Sequence, residues 1–197
     1  MHLVGVERPC TLWHFVMNSN DPAAWFTRGI ESYQKKEYSA AIADFAEAIR
    51  LNPDYAEAYR ARAIAYEQEN RLADAVADYS AMLLVQPDNP TAYYSRGNCY
   101  FSLGRYDAAI ADHTVAIEFD PSDSLAHVHR GNAYRAKGDR HRALEDYNQA
   151  ILLDENDALA YRQRATLYQE IGEPEKASAD FRAAERAAQR AFPTEGR

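Results

Sequence analysis

The sequence repeats itself every 34 residues, and this period constrains the fold more than any other feature of the chain. The stretch from Ala92 to Pro121 shows the unit most clearly and reads AYYSRGNCYFSLGRYDAAIADHTVAIEFDP. One of its alanines recurs in all five copies, as Ala41, Ala75, Ala109, Ala143 and Ala177. A fixed period of this length is typical of repeat arrays, in which each unit packs on its neighbours.

Each unit contains two segments whose apolar residues follow a helical spacing of i, i+4 and i+7. In the central copy these segments cover about residues 91–103 and 107–119. Gly104 lies between them and predicts a left-handed helix end, and Pro121 predicts the end of the second helix. The unit is therefore predicted to be a helical hairpin, and the fold class to be all-α.

The sizes of the repeated residues predict how the helices pack. Gly97 on the first helix and Ala109 on the second are small, so the two helices of a hairpin can approach closely. Tyr93 and Tyr100 are large and fill the space between one hairpin and the next. Because a single hairpin cannot bury this face alone, the units are expected to stack into one elongated array.

This pattern of aromatic and small residues resembles the tetratricopeptide repeat. The matching residues are Trp25, Gly29, Ala41, Phe45, Ala48 and Pro53; Tyr59, Ala63, Tyr66, Ala75, Tyr79 and Pro87; Tyr93, Gly97, Tyr100, Ala109, Ala116 and Pro121; His127, Gly131, Tyr134, Ala143, Tyr147 and Ala150; and Tyr161, Ala165, Tyr168, Ala177, Phe181 and Ala184. The resemblance implies a right-handed α-solenoid of antiparallel helix hairpins. Its five repeats are expected at about residues 22–55, 56–89, 90–123, 124–157 and 158–191.

Three positions depart from the family's pattern. Met82 stands where a small residue is usual, His113 replaces the second aromatic residue, and Glu155 stands in place of proline. Because few residues follow the fifth repeat, the additional polar helix that often covers the last repeat in this family is not expected here.

Two interpretations of the last helix, Glu175–Ala191, are open. In the first, its polar residues cover the end of the array; they are Arg182, Glu185, Arg186, Gln189 and Arg190. In the second, an apolar stripe docks on another copy of the chain and forms a homo-oligomer; its residues are Phe181, Ala184, Ala188 and Phe192.

The residues outside the repeats lie at both ends of the chain. Residues 1–20 form an N-terminal extension, for which two interpretations are open. In the first interpretation, translation starts at Met17. In the second, residues 1–16 form an apolar arm that covers the first helix or lies in the groove of the array. Residues 193–197 are predicted to be a disordered tail.

Charge and composition exclude several classes of function. With 30 Asp and Glu against 22 Lys and Arg, the net charge is −8, which argues against nucleic-acid binding because the attraction to phosphate has the wrong sign. No apolar run approaches the roughly 18 residues of a membrane span, so no membrane insertion is expected. Cys10 and Cys99 lie far apart in the sequence and suggest no disulfide framework, so a reducing, cytoplasmic location is expected.

A ladder of Arg and Asp residues follows the repeat and invites interpretation as a cationic stripe. Each Asp follows its Arg by 16 residues, however, which places the two on facing helices of one hairpin. We therefore expect structural ion pairs, because an unpaired buried charge is costly. The pairs are Arg28 and Asp44, Arg62 and Asp78, Arg96 and Asp112, Arg130 and Asp146, and Arg164 and Asp180.

The resemblance implies that the first helix of every unit lines a concave groove that binds a peptide segment of another protein. By register, the groove residues are Phe26, Ile30 and Tyr33; Arg60, Ile64 and Glu67; Tyr94, Asn98 and Phe101; Val128, Asn132 and Arg135; and Arg162, Thr166 and Gln169. The groove is then apolar at its N-terminal end and amide-rich or cationic towards its C-terminal end. Asn98 and Asn132 are suited to a peptide backbone, and Arg135 and Arg162 to a carboxylate.

One known mode of the family, the clamp of chaperone adaptors for a C-terminal carboxylate, is not matched. Asn98 and Asn132 occupy its two Asn positions, but Tyr94 replaces the first Lys. Leu159 and Gln163 fill the last two positions, so three of the five clamp residues are missing.

The histidines between His113 and His141 raise the question of a metal site. His127 and His129 are two residues apart on a helix, so their rings point about 200° apart and cannot share an ion. His113 and His127 occupy aromatic positions of the repeat and are expected in the core. No motif for a metal, a cofactor or catalysis is present. Together with the groove that the resemblance implies, this predicts a non-enzymatic scaffold or adaptor that binds another protein and assists complex assembly. The alternative is a structural protein that self-associates through the ends of the array.

Overall fold

The computed structural model describes residues 20–191, which contain ten α-helices. They are α1 (Pro22–Gln34), α2 (Tyr38–Leu51), α3 (Ala56–Gln68), α4 (Leu72–Val85), α5 (Pro90–Ser102), α6 (Tyr106–Phe119), α7 (Ser124–Lys137), α8 (Arg140–Leu153), α9 (Ala158–Glu170) and α10 (Pro174–Ala191). Consecutive helices pair into five hairpins that stack in chain order, as predicted. The predictions for Met17, Cys10, Phe192, residues 1–16 and residues 193–197 lie outside the described residues.

The first helices of the hairpins form the inner layer of the array. α1 contacts α3, α5 contacts α7, and α7 contacts α9, in addition to the contacts that each makes within its own hairpin. Between residues 20 and 191, no second helix packs on another second helix to a similar extent. The odd-numbered helices are therefore closer together and line the concave side. No helix in this part of the chain has the length and apolar character needed to cross a membrane.

Small residues on the first helices make room for the rings of the second helices. A Cβ atom added at Gly29 would lie 2.5 Å from the Phe45 ring, and one added at Gly131 would lie 2.7 Å from the Tyr147 ring. Both rings are fully buried. The predicted close approach of the two helices is thus present, and it places one large ring in the centre of the hairpin.

The turn inside each hairpin uses a left-handed residue at one repeat position. In the last three repeats this residue is Gly104, Gly138 or Gly172, with φ between 72° and 89°. The first two repeats have Lys36, at φ 63°, and Asn70, at φ 57°. A Cβ atom destabilises this conformation by about 1 kcal/mol or more, which glycine avoids.

Exchanging residues at this position should change stability in opposite directions. We expect Lys36→Gly to raise the free energy of unfolding by about 0.5–1 kcal/mol, because it removes a left-handed residue that has a Cβ atom. Gly104→Ala should lower it by about 1 kcal/mol, although nothing lies within 4 Å of the added Cβ atom. Urea denaturation followed by circular dichroism would measure both changes. Equal signs for the two variants would contradict this account.

Candidate functional site

The five Arg and Asp pairs lie inside the hairpins, each joining the first helix to the second. Arg62, for example, donates from Nε and Nη2 to the two carboxylate oxygens of Asp78, both at 2.7 Å. The same two-pronged bond joins Arg96 to Asp112, Arg130 to Asp146, and Arg164 to Asp180, at 2.7–2.9 Å. Arg28 also donates to Asp44.

Three of these arginines also bond to the preceding repeat. Nη1 of Arg96 donates to Ser80 at 3.0 Å, Nη1 of Arg130 to Thr114 at 3.2 Å, and Nη1 of Arg164 to Asn148 at 2.6 Å. The three acceptors occupy one repeat position, two residues after the Asp. Sequence reasoning missed this contact between repeats, although the polar residue recurs at the 34-residue period. Each of these guanidinium groups thus joins three helices.

Burial and pairing leave the last four arginines of this ladder without a free charge for a ligand. The carboxylates are 4–7% exposed, and the side chains of Arg62, Arg96, Arg130 and Arg164 are 17–19% exposed. The hydrogen-bonded carboxylate raises the pKa of each of these four guanidinium groups. Burial disfavours the charge of Asp146, yet hydrogen bonds from His127 and Arg130 hold its pKa below the ordinary value. These four arginines therefore do not form a cationic stripe that is open to anions.

At the N-terminal end of the groove, predicted residues from the first two repeats surround one apolar pocket of about 100 Å³. They come from α1 and α3, and the ring of Phe45 on α2 completes the lining. The lining residues are Phe26, Ile30, Tyr33, Phe45, Arg60, Ala61 and Ile64. Arg60 is exposed at the rim, whereas Ile30 and Ile64 are half-buried. The pocket is suited to one aliphatic or aromatic side chain.

Tyr94 on α5, a predicted groove residue, lies against two histidine rings, with centroids 5.6 Å from His113 and 5.3 Å from His129. A second pocket of about 350 Å³ opens beside Tyr94. It is lined by Pro90, Thr91, Tyr94, Ala116, Asp120, Asp123 and Leu125. Sequence reasoning missed the two carboxylates of this pocket because they lie at helix ends and not on the groove face of a first helix.

Other predicted groove residues of the third and fourth repeats are already bonded within the protein. Asn132 accepts a hydrogen bond from the hydroxyl of Tyr147 at 2.8 Å. Arg135 donates to Gln163 at 3.2 Å and lies 3.9 Å from Glu170. Arg135 was predicted to bind a carboxylate of the ligand, but it already has partners within the protein.

Asn98 is half-buried, and its buried Oδ1 has no hydrogen-bond partner within the described residues. The other predicted positions divide between exposed residues and packed contacts. Phe101 is half-buried and its ring packs on Tyr106, with centroids 5.6 Å apart. Arg162 is exposed. Thr166 bonds to the carbonyl of Arg162, and Gln169 is exposed.

One groove assignment is wrong. Val128 is fully buried, in a cluster with Ala160 and Leu167 of α9, because α7 packs directly on α9 at this point. Glu67 is half-buried and accepts a hydrogen bond from the Tyr79 hydroxyl at 2.6 Å. The register alone does not distinguish a groove residue from one that packs between neighbouring first helices.

The histidines act as core residues. His113 is fully buried against Gly97, and neither of its ring nitrogens has a hydrogen-bond partner. His127 is 7% exposed, and its Nδ1 lies 3.3 Å from Asp146. Between residues 20 and 191, no group of three or more His, Cys, Asp and Glu side chains is arranged to hold a metal ion. Cys99 is buried as a free thiol, and burial raises its pKa to about 12.

The last helix turns its polar face outward. Its exposed residues include Arg182, Glu185, Arg186, Gln189 and Arg190. Of the proposed docking stripe, Ala184 is only 3% exposed because α10 packs on α9, and Phe181 and Ala188 are half-buried. The described part of the stripe is thus largely used inside the last hairpin.

Comparison with known families agrees with this architecture. A profile described as tetratricopeptide repeat matches residues 62–130, and one described as TPR repeat matches residues 29–70 and 131–172. The chain is a tetratricopeptide repeat (TPR) protein. Its fold is accordingly a right-handed α-solenoid.

Solved structures of other TPR proteins resemble the whole array. A crystal structure of MamA has a TM-score of 0.78 at 20% identity, covering 84% of this chain and 97% of that one. MamA from Desulfovibrio magneticus RS-1, from residue 41 to its end, has a TM-score of 0.82 at 16% identity, covering 90% and 99%.

A third structure is that of YrrB, described as a TPR protein with an unusual peptide-binding site. It has a TM-score of 0.73 at 20% identity, covering 90% of both chains. No curated protein matches the sequence. At these identities the structural likeness establishes the fold and not the ligand.

Proposed function

We propose that this TPR protein is a non-enzymatic scaffold or adaptor that binds a segment of a partner protein in its concave groove. The observation that carries the proposal is the open apolar pocket formed by α1, α2 and α3. A half-buried apolar pocket on the inner face of a repeat array is a site where a partner's side chain can be removed from water. The family supports the same class of function, since TPR arrays are generally protein-interaction modules.

Two further features support a peptide ligand. The groove residues of the first two repeats do not all pack between hairpins, so part of their apolar surface stays accessible. Phe101 and Arg162 extend the accessible inner face along the array. We propose that the bound segment runs along this face and that the scaffold assists assembly of a complex in the cytoplasm.

A substitution inside the apolar pocket should abolish this binding. We expect Ile64→Asp to reduce capture of the partner from a lysate of the source cell about tenfold or more, because a carboxylate in the pocket opposes burial of an apolar side chain. Arg60→Glu, at the exposed rim, is a second variant that leaves the packing intact. Quantitative mass spectrometry of the captured proteins is the measurement.

Leu84→Asp is the matched control, since Leu84 is 85% exposed on α4, outside the groove. Helical content of all variants is compared by circular dichroism. If the Ile64→Asp bait retains the same proteins as wild type, the groove does not bind them. Recovery of the bait alone from every variant would favour self-association through the ends of the array.

A further inference from the structure

The second pocket, beside Tyr94, is lined by apolar residues and by two aspartates. It lies between the third and fourth repeats, where α5, α6 and α7 meet, and its volume of about 350 Å³ accommodates one long side chain. Most of its surface is apolar, and the ring of Tyr94 forms one wall. Asp120 and Asp123 are also among its lining residues.

Local hydrogen bonds fix the position of both carboxylates. Oδ1 of Asp123 accepts from the backbone N–H groups of Leu125 and Ala126, at 3.0 and 3.2 Å, and so caps α7. Oδ1 of Asp120 accepts from the backbone N–H and the hydroxyl of Ser122, at 3.0 and 2.6 Å. These bonds engage one oxygen of each carboxylate. Within residues 20–191, no Lys or Arg side chain forms an ion pair with either carboxylate. Burial lowers the pKa of the nearby His129 ring although Asp123 opposes the shift, which favours the neutral imidazole.

Elsewhere in this chain, a carboxylate and a tyrosine ring together hold the guanidinium group of an arginine. The guanidinium of Arg96 lies 5.5 Å from the centroid of the Tyr93 ring while it donates to Asp112. Arg164 lies 5.6 Å from the Tyr161 ring while it donates to Asp180. A carboxylate beside a tyrosine ring is thus the environment in which this protein places a cation. Attraction between a cation and an aromatic face adds to the charge pairing.

We propose that this pocket binds a Lys or Arg side chain of the partner, so that the scaffold selects a basic segment. The inference rests on the proposed groove function and adds the chemistry of the ligand. The alkyl stem of the side chain lies against the apolar wall and the cation lies between Tyr94 and the two carboxylates. The net charge of −8 attracts such a segment as it approaches.

The two pockets also define a spacing in the ligand. The first lies between α1 and α3, and the second between α5 and α7, so they are two steps apart along the inner layer. With roughly 10 Å between neighbouring helix axes, the pockets are about 20 Å apart. An extended chain rises about 3.3 Å per residue, so about six residues separate an apolar anchor from the basic residue.

Labelled peptides can test this chemistry directly on the full chain. The probe is a fluorescein-labelled Gly/Ser peptide that carries Phe and, six residues away, Arg; a second version has the two in reverse order. Matched peptides carry Gln or Glu in place of Arg. We expect the better Arg peptide to bind about tenfold more tightly than its Gln counterpart by fluorescence anisotropy, which corresponds to one well-formed charge contact.

The protein offers variants that remove the charge and keep the fold. Asp120→Asn/Asp123→Asn retains acceptors for Ser122 and for the start of α7, because Asn is as good an N-cap as Asp. It should lose the preference for Arg over Gln. Asp154→Asn/Asp157→Asn makes the same change one repeat later, where the buried Val128 stands in place of Tyr94, and should keep the preference within about twofold of wild type.

Any of three peptide results would overturn the inference: no peptide binds, Glu peptides bind as well as Arg peptides, or the two double variants behave alike. These results are separate from the lysate experiment on Ile64. If Ile64→Asp loses the partner while no preference for Arg exists, the groove binds a ligand of different chemistry. A dimer whose formation depends on Asp120 and Asp123 would show that another copy of the chain occupies the pocket, and would also overturn it.

Discussion

Replacing Arg96 by alanine should cost about 3–5 kcal/mol of unfolding free energy, one of the largest losses available from a single substitution in this chain. The reason is the carboxylate left behind. Asp112 is 6% exposed, and its charge is balanced by the two bonds from Arg96, at 2.7 and 2.8 Å. Arg96 also bonds to Ser80, so the variant loosens the contact between the second and third repeats. Urea denaturation followed by circular dichroism would measure the loss.

The pairing itself is tested by a double-mutant cycle. Arg96→Ala/Asp112→Ala removes both charges and should cost much less than the sum of the two single losses, because neither charge is left unpaired. Arg50→Ala/Glu47→Ala is the control cycle, since those side chains are 62% and 40% exposed. Its coupling energy should stay below about 1 kcal/mol. Additive losses at Arg96 and Asp112 would show that the two residues do not act as a pair.

The repeat period predicted the architecture because each structural requirement falls at the same position in every copy. The left-handed turn is an example, since it lies at Lys36, Asn70, Gly104, Gly138 and Gly172. Close packing of Gly131 under Tyr147 is another, since only a very small residue leaves room for that ring. Such requirements come from the backbone and from helix contacts, which are the same in every unit.

Details of the groove were harder to predict because they differ between repeats. Tyr94 and Val128 occupy equivalent positions, yet Tyr94 lines a pocket and Val128 is buried against α9. Burial of Val128 depends on how closely α7 and α9 approach, which the residues of one repeat do not determine. The role of Asp123 was hard to predict for a different reason. Its side chain caps a helix and also lines a pocket formed with another repeat.

Replacing His113 by phenylalanine should stabilise the protein, although it changes a fully buried residue. Both ring nitrogens of His113 lack partners, and each unsatisfied buried polar atom costs about 1–3 kcal/mol. The equivalent residue in the first repeat is Phe45, which packs on Gly29 as His113 packs on Gly97. The site therefore accommodates a phenyl ring. We expect the free energy of unfolding to rise by about 1–3 kcal/mol at pH 7, measured by urea denaturation.

The increase in the free energy of unfolding caused by His113→Phe should become larger as the pH falls. Burial lowers the pKa of His113 to about 3, with further contributions from His129 and Arg130, while Asp146 opposes the shift. The unfolded chain has the ordinary histidine pKa of about 6.5, so it binds a proton at a pH where the folded protein does not. Unfolding is then favoured progressively as the pH falls from about 6.5 towards 3, by at most about 1.4 kcal/mol per pH unit.

Other groups also titrate in this range, so the informative quantity is the difference between His113→Phe and wild type at each pH. That difference should be constant above about pH 7 and should increase by about 2–3 kcal/mol between pH 7 and pH 4, because only wild type retains the buried imidazole. His141→Phe is the control for replacing a histidine without removing a buried imidazole, since the His141 side chain is 85% exposed. A flat difference curve for His113→Phe would mean that the folded protein binds the proton at His113 as readily as the unfolded chain does. The histidine in place of the repeat's aromatic residue would then not limit the stability of the array in acid.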